Sequence, residues 1–80
     1  MVQHVKLQSY RKGVRSLKNR LKYYREKKGL SQIELSKKSG VSRATIINLE
    51  TGKARVAKTD TLTRIADSLE MSVSEVFFSQ

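Results

Sequence analysis

The chain has 80 residues and a formal net charge of +10, because 17 lysines and arginines face only 7 aspartates and glutamates. This length predicts one small domain, and the positive charge favours a polyanionic partner, with nucleic acid as the first candidate. The chain has no cysteine, which excludes disulfides and thiolate metal sites. Because His4 is the single histidine, no catalytic or metal-binding cluster can be assembled, and we expect neither an enzyme nor a cofactor.

The N-terminal segment, residues 1–15, is basic and weakly patterned. Four of its cations have no acidic neighbour: Lys6, Arg11, Lys12 and Arg15. We expect a flexible or partly ordered arm here, followed by a folded domain over residues 16–80. The first helix of that domain is predicted from about Ser16 to Lys28, with Leu17, Leu21 and Tyr24 on one face.

The middle of the chain holds two short amphipathic segments, each opened by a capping serine. Ser31 and Glu34 have the spacing of a capping box, and Gly40 ends the first segment because glycine tolerates the left-handed conformation. Ser42 opens the second segment and Gly52 ends it. Two helices of about eight residues, joined by a tight turn, predict a helix-turn-helix unit, whose second helix enters the major groove of DNA.

The last third of the chain predicts a loop and two more helices. Residues 53–58 are expected to form the loop, and Thr59 or Asp60 to cap a fourth helix. Ser72 and Glu75 form a second capping box, which opens a short fifth helix. No strand-like alternation of useful length is present, so the sequence predicts an all-α domain of five helices. The apolar faces predict this core: Leu17, Leu21, Tyr24, Leu30, Leu35, Val41, Ile46, Leu49, Val56, Leu62, Ile65, Ala66, Leu69, Met71, Val76 and Phe77.

These residues resemble the Xre/Cro family of phage-type repressors, and the resemblance covers roughly residues 17–78. The matching positions are Leu21, Arg25, Gly29 to Gln32, Glu34-Leu35, Gly40 to Ser42, Thr45-Ile46, Leu49-Glu50, Gly52-Lys53, Leu62, Ile65-Ala66, Leu69, Ser72 and Glu75 to Phe77. The resemblance implies a compact lambda-repressor-like fold and double-stranded DNA as the partner. The chain departs from the family at Ser36 and Ser39, where alanine is common, and at Glu70, where glycine is common.

The recognition helix, at about residues 42–51, is expected to present its N-terminal residues to base edges. The predicted base contacts are Ser42, Arg43, Ala44 and Asn48. Arg43 has the donors for a bidentate contact with guanine, and Asn48 has the groups for a bidentate contact with adenine. The predicted phosphate contacts are Gln32, Thr45, Lys53 and Arg55. The resemblance implies the contact for Gln32, because it matches a glutamine that contacts the DNA backbone in similar repressors.

The resemblance also implies a structural ion pair between Arg25 and Glu50, which would hold the recognition helix against its scaffold. The alternative is two unrelated surface charges. At the C-terminal end, we expect one of Phe77 and Phe78 to enter the core and the other to be available to a partner chain. A homodimer is expected because one small domain neutralises too few phosphates for tight specific binding.

The favoured interpretation is a sequence-specific transcriptional repressor or regulator. An antitoxin or a controller protein of a restriction-modification system has the same DNA chemistry and stays an alternative. A basic module bound to RNA or to an anionic membrane is disfavoured, because the chain has no RNA-binding motif and its charge is not confined to one amphipathic helix. No apolar run approaches the roughly 18 residues of a membrane span and no signal peptide is visible, so we expect a cytoplasmic protein. No small-molecule site is evident.

Overall fold

The structure is a computed structural model that describes residues 4–6, 19–54 and 56–78. Five helical elements follow one another in the expected order: α1 (Leu21–Lys27), α2 (Gln32–Ser39), α3 (Arg43–Thr51), α4 (Thr59–Ser68) and a C-terminal helical turn (Ser74–Phe78). Two short strands accompany them, β1 (His4–Lys6) and β2 (Val56–Lys58). The mainly helical architecture confirms the predicted fold class. Within the described ranges, no helix is both long enough and apolar enough to cross a membrane.

The ends of α2 and α3 are set by the residues that the sequence identifies. The Ser31 hydroxyl accepts from the Glu34 backbone N–H at 3.0 Å, and the Glu34 carboxylate accepts from the Ser31 backbone N–H at 2.8 Å. Ser42 caps α3 by accepting from a backbone N–H of its first turn. Gly40 and Gly52 end the two helices with φ of +75° and +81°, a region where a Cβ is costly. The predicted capping box and both predicted helix ends are confirmed.

The first helix begins later than the sequence predicts, at Leu21 rather than at about Ser16. Asn19 accounts for this difference. Its side-chain oxygen accepts from the Leu21 backbone N–H at 3.0 Å, and its side-chain nitrogen donates to the Leu49 carbonyl at 2.9 Å. The Arg20 backbone N–H donates to the Val76 carbonyl at 2.9 Å instead of joining a helix. Tertiary hydrogen bonds therefore fix residues 19 and 20 outside α1, and Leu17 lies outside the described residues.

An antiparallel strand pair corrects the expectation that the arm and the 53–58 loop contain no strand. His4 lies opposite Lys58, Val5 opposite Ala57 and Lys6 opposite Val56. Each strand has only three residues, too short for a visible alternation of apolar and polar residues. The pairing also joins segments about fifty residues apart, so a local pattern does not reveal it. Residues 7–15 of the predicted arm lie outside the described residues.

Two features of the C-terminal third differ in detail from the expectation. Thr59 is already helical and Lys58 occupies the cap position without a side-chain cap bond, so the predicted cap at Thr59 or Asp60 is wrong. Asp60 instead pairs with Arg64 one turn later, at 3.0 Å on the surface. The Ser72–Glu75 capping box is confirmed by two reciprocal bonds of 2.9 and 3.1 Å. The helical turn that it opens has the wider π-type winding.

The core lies where α1, α2, α3, α4 and the C-terminal turn meet. Its buried apolar members are Leu21, Leu35, Val41, Ile46, Leu49, Leu62, Ile65, Ala66, Leu69, Val76 and Phe77. Tyr24, Leu30 and Met71 pack against this core while partly buried. Val56, predicted as a core residue, is 55% exposed, because the strand turns Ala57 inward and Val56 outward. Phe77 is buried and Phe78 is 43% exposed.

Candidate nucleic-acid interface

One face of α3 is packed and the other is open to solvent. Ile46 and Leu49 are buried at 0% and 1% exposure and attach the helix to the core. The four residues predicted to contact bases are all exposed, at the cap, in the first turn and one turn further along: Ser42, Arg43, Ala44 and Asn48. The structure therefore presents the predicted base-contacting residues on one accessible surface, with an arginine at its N-terminal end.

Ser42 and Thr45 hold each other at the start of this surface. The Ser42 hydroxyl accepts from the Thr45 backbone N–H at 3.2 Å and donates to the Thr45 hydroxyl at 2.8 Å. Thr45 is half-buried. The pair fixes the helix start as well as lining the surface.

Two serines stabilise the turn between α2 and α3 through hydrogen bonds that the sequence does not predict. The Ser36 hydroxyl donates to the Val41 carbonyl at 2.6 Å, and the Ser39 hydroxyl accepts from the Val41 backbone N–H at 3.2 Å. Both polar groups of Val41 are thereby satisfied within the turn. These serines stand where the family commonly has alanine. They orient α3 relative to α2 through hydrogen bonds that alanine does not make.

Arg25 of α1 and Glu50 of α3 form a two-point ion pair between the first helix and the recognition helix. Arg25 Nε lies 2.5 Å from Glu50 Oε2, and Arg25 Nη2 lies 3.1 Å from Glu50 Oε1. The two side chains are 8% and 2% exposed. The hydrogen bond to Glu50 raises the pKa of Arg25 above its usual value, against the opposing effect of burial. A third bond, from Arg25 Nη1 to the Leu30 carbonyl at 2.7 Å, ties the pair to the α1–α2 connection.

Gln32 joins the same network from the first residue of α2. Its side-chain nitrogen donates to Glu50 Oε1 at 3.1 Å, and the residue is half-buried. The sequence predicts a phosphate contact for Gln32 and not this bond. Glu50 is the one acidic residue of α3, and here it accepts from both Arg25 and Gln32. The carboxylate nearest the recognition surface is therefore neutralised by its own scaffold.

The segment after α3 carries the remaining predicted phosphate contacts. Lys53 is exposed, and the next residue, Ala54, donates its backbone N–H to the Asn48 carbonyl at 3.0 Å. This bond holds the segment after α3 against the C-terminal end of that helix. Arg55 lies outside the described residues. Of the described residues predicted to contact phosphate, Lys53 is exposed, and Gln32 and Thr45 are half-buried.

Comparison with known proteins agrees with this architecture. A family model described as "Helix-turn-helix" matches residues 21–76. A segment of 37 residues is 60% identical to the uncharacterized HTH-type transcriptional regulator MJ0272 of Methanocaldococcus jannaschii. That segment is 46% of this chain and 56% of the relative, so the match spans little more than half of the relative's length.

Two solved structures of the biofilm regulator SinR share the fold at 31% sequence identity. The SinR complex with DNA superposes with a TM-score of 0.65, over 68% of this chain and 86% of that chain. The complex of SinR with SinI superposes with a TM-score of 0.66, over 69% of this chain and 53% of that chain. From its helix-turn-helix geometry and its match over residues 21–76, the chain belongs to the Xre/Cro-type helix-turn-helix family, which comprises DNA-binding transcriptional regulators rather than enzymes.

Proposed function

We propose that this protein is a transcriptional repressor that binds a specific double-stranded DNA sequence as a homodimer, with α3 in the major groove. The observation that carries the proposal is the exposed face of α3, which holds Arg43 and Asn48 while its one acid, Glu50, is buried in an ion pair. A surface of donors without an exposed carboxylate suits a polyanion. The net charge of +10 acts in the same direction.

Base reading is assigned to the cap residue of α3 and to the exposed face of that helix. Arg43 donates two hydrogen bonds to guanine O6 and N7, and Asn48 pairs in a bidentate way with adenine. Ala44 offers a methyl group to thymine, and Ser42 lies at the same end of the helix. The expected discrimination is about 1–3 kcal/mol for each bidentate pair.

Phosphate contacts are assigned to the ends of α2 and α3. The N-terminal turn of α2, at Gln32, presents backbone N–H groups and the positive end of the helix dipole. The other phosphate contacts are assigned to Thr45, Lys53 and Arg55, with Arg55 assigned from the sequence alone. These contacts orient the domain and supply affinity, without carrying sequence information.

The homodimer follows from the small size of the interface that one domain offers. A single domain of this size contacts few phosphates, and two half-sites double both the charge neutralised and the bases read. Phe78 and Tyr23, at 43% and 49% exposure, are large side chains left uncovered by the described part of the chain. Phe78 is the residue that we assign to contact with the partner chain.

Selection of bound sequences from random duplex DNA tests the proposal. The full chain should enrich an inverted repeat whose half-sites lie about 10 base pairs apart, centre to centre, or a multiple of that spacing. Sedimentation of the complex should give two chains per duplex. The double variant Arg43→Ala/Asn48→Ala keeps the buried face of α3 and serves as the control, with no enrichment expected. Enrichment of no motif by the wild-type chain would refute sequence-specific binding, and one chain per duplex would refute the homodimer.

A further inference from the structure

A groove of about 470 Å³ lies between the β1–β2 pair and α3, next to the proposed base-reading surface. Its apolar floor includes Leu49 and Ala54, and its polar walls include His4, Asn48 and Lys58. Asn48 belongs both to this groove and to the exposed face of α3. The groove therefore continues the proposed interface towards the N-terminal strand, in a direction for which the family resemblance assigns no residue.

The walls of the groove suit an anion. His4 and Lys58 lie directly opposite each other in the antiparallel pair, so their side chains project from the same face of the two strands. Among the described residues that line the groove, none is acidic. Of these, Lys58 is the charged one facing His4, since the α3 and α4 contributions are uncharged: Thr45, Asn48 and Thr61. An anion between the two strands could accept hydrogen bonds from both the His4 and the Lys58 side chains.

We infer that His4 is a further DNA-contacting residue, and that the groove receives a phosphate of the DNA backbone beside the base pairs read by α3. In this arrangement the His4 imidazolium and the Lys58 ammonium donate to the phosphate oxygens. The inference rests on the proposed function, because α3 must lie in the major groove to bring that phosphate within reach. It makes β1 part of the interface, with the β2 pairing holding His4 in place.

Because the charge of a histidine depends on pH, a contact between His4 and a phosphate should make the affinity for DNA depend on pH. An imidazole takes up its proton between pH 5 and 8, and His4 is the chain's only histidine. The affinity of the full chain for a duplex carrying the selected site is measured at pH 6.0 and pH 8.0 at constant ionic strength. Wild-type protein should bind about three- to fivefold more tightly at pH 6.0, as expected for one exposed charge-assisted contact.

Variants of His4 separate this contact from other effects of pH. His4→Gln should lose the difference between the two pH values, and His4→Arg should bind at pH 8.0 about as tightly as wild type does at pH 6.0. Arg43→Ala should bind more weakly at both pH values and keep the wild-type ratio. The same ratio in wild type and His4→Gln would overturn the inference, whereas failure of wild-type protein to prefer the selected site would overturn the proposed function instead.

The nuclear magnetic resonance signal of the single histidine ring provides a direct second measurement. Adding the duplex should shift the ring nitrogens of His4 towards the imidazolium form at pH 7. Millimolar inorganic phosphate alone should leave them unchanged, because a free ion lacks the contacts that α3 makes with the rest of the duplex. An equal shift with inorganic phosphate would mean that the groove is a general phosphate site, and no shift with the duplex would exclude the contact.

Discussion

Arg25 and Glu50, 25 residues apart in the sequence, meet in a buried two-point ion pair that links α1 to the end of α3. The same Glu50 carboxylate accepts from Gln32 at the start of α2. Three helices of the DNA-binding unit are therefore joined through one carboxylate group. The orientation of the recognition helix depends on this network as well as on apolar packing.

Breaking the pair should destabilise the domain strongly. Arg25→Ala or Glu50→Ala leaves the other charge buried without its partner, at an expected cost of about 3–5 kcal/mol. Replacing both residues should cost less than the sum of the single losses. Chemical denaturation of the four proteins in a double-mutant cycle measures the coupling.

The exposed pair between Asp60 and Arg64 is the matched control. Its side chains are 57% and 56% exposed, so solvent screening limits its coupling to below about 1 kcal/mol. If the Arg25–Glu50 coupling is no larger than that of the control pair, the structural role of the buried pair is refuted.

Glu70 is the one described non-glycine residue with a left-handed backbone, at φ of +58°. This conformation costs a residue with a Cβ about 1 kcal/mol, and glycine adopts it freely. Glu70→Gly should therefore raise the free energy of unfolding by about 0.5–1 kcal/mol. Thermal and chemical denaturation provide the measurement.

Glu70→Ala separates the backbone effect from the loss of charge after α4. It removes the same carboxylate but keeps the Cβ. Glu70→Gly should be more stable than Glu70→Ala, and equal stability of the two variants would show that backbone strain has no part in the effect.

The two capping boxes should make stability depend on pH in the acid range. Hydrogen bonds from the Ser31 backbone and hydroxyl lower the pKa of Glu34, and the same bonds from Ser72 lower the pKa of Glu75. A carboxylate with a lowered folded-state pKa contributes stability above its unfolded pKa, and this contribution is lost as pH falls through the folded value. Stability should thus decrease as pH falls below about 4.5, the ordinary value for glutamate.

The variant Glu34→Gln/Glu75→Gln tests this expectation. Glutamine keeps a capping partner for each serine backbone but does not titrate. Between pH 5 and pH 3, the melting temperature of the variant should fall less than that of the wild type. Parallel decreases in the two proteins would contradict the linkage.

Local signals in the sequence predict much of this fold. Ser31, Glu34, Gly40 and Gly52 act within one helical turn of their own positions, so spacing alone identifies the helix ends. Local spacing does not predict the start of α1, because the Asn19 side chain bonds both to the Leu21 backbone N–H and to the Leu49 carbonyl, 30 residues away. The β1–β2 pairing likewise depends on contacts between very short segments that are distant in the sequence, which a local pattern does not reveal.

In the candidate site, too, some features can be predicted from the sequence, whereas contacts between distant residues cannot. The exposed face of α3 follows from helical periodicity, and the Arg25–Glu50 pair was implied by the family resemblance. The bond from Gln32 to Glu50 and the serine contacts at Val41 depend on side-chain orientations that spacing does not specify. His4 belongs to no motif in the sequence, and only the strand pairing brings it to the groove beside α3.

The claim that α3 reads bases is tested most directly by measuring the affinity of Arg43→Ala for the selected site and for random duplex DNA. Lys53→Ala is the matched control, because it also removes one positive charge. Arg43→Ala should cost about 1–3 kcal/mol on the selected site, relax the preference at one base pair and leave binding to random DNA nearly unchanged. Lys53→Ala should weaken binding to both DNAs alike and reduce the salt slope by roughly 0.9. Equal losses on the two DNAs for Arg43→Ala would make Arg43 a phosphate contact and contradict base reading by this helix.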